Sequence, residues 1–204
     1  MARSRRKPRR KAARRPAAAT RRQGRRRLGI TAALAVLVIG VSAWYWNAER
    51  DREAAFLEHA RRGAGAIESL ARRADEGRSH LAPGESVRYV SDPPTSGAHD
   101  PEPIDPGVYR NVQARDKLVH SLEHGMIVVY YDKPEQSAWE TLDAWAALYD
   151  APWSGIVLAP RPGLGEALIL TAWRRMLRQK TFDPDAAAAF IDAYRGRGPE
   201  NPVR

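Results

Sequence analysis

The 204-residue chain has no cysteine. Disulfides, thiol catalysis, thiolate zinc sites and iron–sulfur clusters are therefore excluded, and packing, with or without a ligand, must hold the fold. Acidic residues are missing from one region. Residues 1–27 carry fourteen Lys/Arg and no Asp or Glu, which leaves twenty basic against twenty-four acidic residues, a net −4, for the remainder. The formal charge of +10 thus belongs to a short arm, and a basic groove for nucleic acid has no support beyond it. Lysine is scarce, five against 29 arginines, a skew that reads as compositional bias. Histidine is equally scarce: five in the chain, two of them within the five residues His120–His124.

What is present divides the chain into four parts. Residues 1–27 have no apolar periodicity and repel themselves, so a disordered basic tail is expected, suited to anionic lipid head groups. Residues 28–46, LGITAALAVLVIGVSAWYW, hold no charge. As a helix they reach about 28 Å, close to the roughly 30 Å of a bilayer's hydrocarbon core. Arginines at the near end and Trp44, Tyr45 and Trp46 at the far end predict a single-pass anchor in the cytoplasmic membrane, with the tail inside and residues 47–204 outside. The alternative is a signal cleaved after Ala43, which exports the same domain. Residues 47–76 read as a helical stalk broken near Gly63 and Gly65, a spacer in which His59 is solvated. Residues 77–204 are long enough for one domain with its own core.

Within that domain ESVRYV (85–90) alternates as a short strand, and the Pro-, Gly- and Asp-rich stretch after it is a loop. MIVVYY (126–131) is a β-branched and aromatic run bounded by turn residues, hence a buried strand. Asp132 and Pro134 open a helix with Ala138, Leu142, Trp145 and Tyr149 on one face. GIVLA and EALILTAW flank PRPGLG as a hairpin, and Asp183–Pro184 opens a last helix that ends before Gly196. The order implies an α+β domain: a small, mostly antiparallel sheet with two to three packed helices.

If residues 118–124 are helical, His120, Glu123 and His124 share a face and Leu118 and Leu122 occupy the opposite one. Two imidazoles at i and i+4 can grip a transition metal, and H-x-x-E-H is the inverzincin order, with Glu123 in the position of general base. A polar helix face packed under the Pro-rich loop explains the same residues without metal.

The segments GRSHLAPGESVRYVSDPPTSGAHDP, GVY, LVHSLEHGMIVVYY, VLAPRPGL, LTAW and FIDAYRGRGPE, in that order from Gly77 to Glu200, resemble the signatures of a bacterial family, domain of unknown function 3105. The resemblance implies a membrane-anchored or secreted domain without an assigned activity, whose histidines correspond to His80, His99, His120 and His124. Members often carry a Trp after the SG-x-H loop, where this chain has Ile104 and no Trp. Imidazoles without cysteine suit copper(II), zinc or nickel better than calcium or magnesium, so copper or zinc is the expected metal. Pro93–Pro94 stiffens the loop and Gly97 lets it reverse, which predicts that His99 meets His120 and His124, with His80 as fourth member. Tyr109, Asp100 and Glu102 are candidate supporting groups.

Three functions compete: a metal-binding or sensing domain, a metallohydrolase using His120, His124 and Glu123, and an envelope interaction module with a groove lined by Tyr109, Trp153 and Trp173. Against the hydrolase, sites of this kind take a third, acidic ligand from a second helix well downstream, whereas Glu166 sits beside a predicted turn and Glu140 is close by in a different helix. The partner of an interaction module has no signature in the sequence.

Overall fold

The computed structural model describes residues 17–204, with side chains for residues 34 and 36–204. The described residues fall into two units, divided between Ala48 and Glu49. Helix α1 (Ala17–Glu68) is followed by β1 (Gly107–Val108), α2 (Arg115–His124), β2 (Ile127–Tyr131), α3 (Gln136–Leu148), β3 (Ile156–Pro160), β4 (Leu168–Ala172), β5 (Arg175–Gln179) and α4 (Pro184–Tyr194). The fold is α+β.

The sheet order is β1-β3-β2-β4-β5. It is mixed, not mostly antiparallel: β1, β3 and β2 run parallel, while β4 pairs antiparallel with β2 and with β5. The expected β3–β4 hairpin does not form, because β2 lies between those strands and bonds to both. All five β2 residues are buried, so both of its edges need strand partners. Helix α3 supplies the crossover to parallel β3, and the following loop passes over the end of β2, where Arg161 N donates to Tyr131 O (2.8 Å) and Gly163 N to Asp132 Oδ2 (2.8 Å). The true hairpin is β4–β5, turning at Trp173–Arg174. Residues 85–90 form no strand.

Alternate residues of the central strands feed two cores. Ile127, Val129, Ile156, Leu158, Leu168 and Leu170 pack with α3 and α4 on one face. Val128, Tyr130, Val157, Ala159 and Ile169 pack with Leu118 and Leu122 of α2 on the other. Helix α4 is capped as its sequence predicts, Asp183 Oδ1 accepting from Asp185 N and Ala186 N. Helix α3 starts later than expected, after Glu135 and without a side-chain cap.

The segment expected to be a spacer belongs to the domain. Phe56 is fully buried, edge-on to Trp145 (5.3 Å between centroids) and Tyr149 (4.9 Å). The helix runs through Gly63 without a break, because at that position a Cβ would lie 1.9 Å from Asp185 O and only glycine lets α1 approach α4 so closely. His59 is not simply solvated: its Nδ1 lies 2.5 Å from Asp185 Oδ1.

Among the described residues no helix is long and apolar enough to cross a membrane. The expected tail, residues 1–27, and much of the expected anchor, residues 28–33 and 35, lie outside the residues with described side chains.

A candidate metal centre at the end of helix α2

Helix α2 ends in a Schellman motif. Gly125 adopts φ 99°, its N–H donates to Leu122 O (3.0 Å), and Met126 N donates to Ser121 O (3.0 Å). The chain turns at once into β2, so the last helical turn is fixed, with Leu118 and Leu122 in the core and His120, Glu123 and His124 on the other side. The Pro-rich loop is clasped to that side. Ser121 Oγ donates to Ile104 O (2.8 Å) and accepts from Ile104 N (3.0 Å), and His120 Nδ1 donates to Asp100 O (2.8 Å).

The same loop delivers His99, which is fully buried. A parallel bridge ties it to His80: His99 N donates to Ser79 O (3.0 Å) and Leu81 N to His99 O (2.8 Å). Gly97 sits at φ 126°, where a Cβ would strike the Tyr89 ring at 2.9 Å, and Tyr89 O–H donates to Ala98 O (2.7 Å). Tyr89, expected in a strand, instead braces the loop.

The rings of His80, His99 and His120 form a triangle with centroids 4.8–5.1 Å apart. One ligand atom from each, together with one carboxylate oxygen of Glu123, lies within 4.8 Å of every other. Carbonyl oxygens only accept, so the contacts of His99 Nδ1 with Gly97 O (2.8 Å) and of His120 Nδ1 with Asp100 O place the proton on Nδ1 in both rings. Their Nε2 atoms are left with a bare lone pair. His99 Nε2 has no hydrogen-bond partner, yet it faces Glu123 Oε2 at 3.0 Å. Two acceptors at that distance repel unless a cation or a proton lies between them. The spacing is close to the edge of about 3.3 Å between neighbouring ligands of a tetrahedral ion with bonds of 2.0–2.1 Å.

Electrostatics favour the same occupant. Burial, reinforced by the neighbouring imidazoles, pushes the His99, His120 and His124 pKa values below the ordinary histidine range, so these rings are neutral at pH 7. Burial and then the nearby Glu200 push Glu123 upward. A divalent ion would coordinate the neutral imidazoles and favour the ionised form of Glu123.

His124 does not join this group. It stacks on Trp153 (4.0 Å between centroids, 24° between planes), and its Nε2 lies 2.9 Å from Glu200 Oε2. His120, His124 and Glu200 make a second, three-ligand group. With Nδ1 protonated, His120 has one lone pair and serves one ion at a time. The expected meeting of His99, His120 and His124 thus becomes two overlapping sets: His80, His99, His120 and Glu123, or His120, His124 and Glu200. The acidic residue supplied from downstream is Glu200. Glu140 instead accepts from Gln136 (2.7 Å), and Glu166 faces Arg178 (4.0 Å).

Glu200 is placed by backbone contact. Gly196 N donates to Gly125 O (2.7 Å), and at Gly198 a Cβ would lie 2.0 Å from Glu123 O, so the terminal segment lies flat on the end of α2. Of the expected supporting groups, Asp100 acts through its backbone carbonyl, Glu102 binds Lys117 (2.9 Å), and Tyr109 O–H donates to Asp105 O (2.9 Å). Trp173 stands edge-on to His99 (6.5 Å) and, with Trp153, supplies the aromatic wall absent after the SG-x-H loop.

The family described as protein of unknown function (DUF3105) matches residues 80–204. No curated protein and no solved structure matches the chain.

Proposed function

Because the chain belongs to a family of unknown function, DUF3105, its chemistry has to be read from the site itself, and we propose that the domain binds one divalent transition metal, zinc or copper(II), through His80, His99, His120 and Glu123. The observation that carries this reading is the buried, unpartnered His99 Nε2 aimed at Glu123 Oε2. A buried polar atom without a partner costs about 1–3 kcal/mol, which a coordinated ion would reverse. Three imidazoles and one carboxylate, two of the rings oriented by backbone carbonyls, are a donor set suited to zinc or copper. Four protein ligands describe a site that holds a metal rather than one that leaves a position for water. Such an ion cross-links the loop, α2 and the His80 segment of a cysteine-free domain. Its saturation at a hundred times Kd stabilises the fold by about 2.7 kcal/mol. The test is the unfolding midpoint with zinc, copper(II) or a chelator, for wild type and His120→Ala. A metal-dependent rise that His120→Ala abolishes supports the reading, and an equal rise in both proteins refutes it.

The second group favours one rival, the metallohydrolase. There His120, His124 and Glu200 bind the ion and Glu123 acts as base on a bound water. Glu123→Gln separates the two: it weakens metal binding in our reading, whereas in the hydrolase it removes turnover and leaves affinity intact.

We also infer that residues 28–46 lie in a bilayer and hold the domain outside the cytoplasm. Supporting this, Leu34, Val36, Leu37, Val38, Ile39, Val41, Trp44, Tyr45 and Trp46 are each more than half exposed. An apolar helix surface of that extent calls for a cover, and the arginines of residues 1–27 orient it. Protease added to intact spheroplasts should degrade the domain; full protection overturns the assignment.

A further inference from the structure

Beside Trp173 lies a cleft of about 390 Å³, lined by four arginines, Arg72, Arg78, Arg174 and Arg197, and a single acid, Asp75. Arg174 is tied down, its Nη1 donating to Asp75 Oδ2 (2.9 Å) and its Nε to Arg73 O (3.0 Å). Among the described residues Arg72, Arg78 and Arg197 have no carboxylate partner. The cleft therefore carries a net charge near +3, although residues 28–204 hold more acidic than basic groups. Unpaired guanidinium groups on shared walls repel one another. The tip of the β4–β5 hairpin adds a second sign of purpose. Arg174 sits at φ 58°, a left-handed conformation that suits glycine or asparagine, in the wall of the cleft. Next to Arg197, Gly198 is pressed onto the end of α2.

We propose that this cleft binds a phosphate group, as inorganic phosphate, a soluble phosphomonoester or a lipid head group. Several guanidinium forks converging on one concave site match the oxygens of a dianion pairwise, and walls of one charge sign focus the field on it. One carboxylate ligand would leave most of the positive charge uncompensated. The cleft borders the histidine site, with Trp173 and Gly198 as shared walls and the Arg78 charge felt at Glu123, but the proposal does not rest on the metal reading.

The test uses the purified full-length chain, stripped of metal with a chelator, in equilibrium dialysis with labelled inorganic phosphate. Wild type is compared with Arg78→Ala/Arg197→Ala, which changes two exposed side chains and leaves the arginine arm of residues 1–27 as a common background. Saturable binding of one phosphate per chain is expected, weakened at least about tenfold in the double variant with its unfolding midpoint unchanged. Glycerol 3-phosphate and phosphatidylcholine vesicles with and without phosphatidic acid are run in parallel. A difference between the proteins with the soluble probes assigns a soluble ligand, and one confined to phosphatidic acid vesicles assigns a lipid head group. Equal behaviour of the two proteins toward all three probes overturns the proposal.

Discussion

Replacing Phe56 by alanine separates two descriptions of the chain after its apolar run, a solvated stalk or an integral part of the domain. The Phe56 ring is fully buried among α1, α3 and the sheet and meets Trp145 and Tyr149 edge-on at 5.3 and 4.9 Å. Truncating a buried phenylalanine costs about 3–5 kcal/mol, and the two edge contacts put this site in the upper part of that range. For the unit formed by residues 49–204, 1 kcal/mol corresponds to about 2–4 °C in Tm, so the expected fall is about 8–20 °C. Thermal unfolding followed by near-ultraviolet circular dichroism measures it, because the lost packing surrounds Trp145. A fall under about 2 °C would show that the helix does not dock, and residues 49–68 would revert to a spacer.

Three further outcomes follow from the geometry. Gly198→Ala places a Cβ 2.0 Å from Glu123 O, so the terminal segment or the end of α2 must shift; overpacking of this kind costs about 1–3 kcal/mol, and displacement of Glu123 should weaken zinc binding along with stability. Calorimetry and a zinc titration on one preparation read both effects, and an unchanged unfolding midpoint contradicts the close contact of Gly198 with α2. In metal-free protein, His99, His120 and His124 have pKa values held below those of the unfolded chain, so the unfolded state binds more protons and stability falls as pH drops below about 6.5. Urea midpoints at pH 7.5 and 5.5 should differ in wild type and differ less in His99→Ala; equal slopes refute the burial argument. Ser121→Ala removes the hydroxyl that clasps Ile104 from both sides, and amide exchange in residues 98–104 should quicken; unchanged exchange means the loop is held elsewhere.

Local signals were legible in the sequence. The apolar run at β2 and the Asp183 cap of α4 depend on residues within a few positions of one another, and each forms where it was read. Pairing was not legible, because the choice of β2 as neighbour for both β3 and β4 depends on which edges remain free after α3 crosses over. ESVRYV alternates as a strand does, but Tyr89 is held by the His99 loop and no neighbouring strand satisfies the backbone. RMLRQ (175–179) was missed as a strand because its two arginines dilute the apolar run, although a two-residue turn after β4 leaves little else for it to form. At the site, the four family histidines were found, but their division was not. The i,i+4 spacing of His120 and His124 suggests a shared ion, whereas Trp153, 29 positions downstream, draws His124 away by stacking. Glu123 was read as a base, and only the His99 contact brings it into the candidate ligand group.

The most direct test compares metal affinity in His99→Ala and His124→Ala. The two residues flank the shared His120 and belong to different groups. Competition titration with a chromophoric chelator measures zinc and copper(II) dissociation constants for each purified protein, with circular dichroism confirming that both variants remain folded. Coordination by His80, His99, His120 and Glu123 predicts that His99→Ala weakens binding by at least about a hundredfold while His124→Ala changes it by less than about threefold. The reverse order, binding that survives His99→Ala and is lost in His124→Ala, contradicts the account and places the ion between His120, His124 and Glu200.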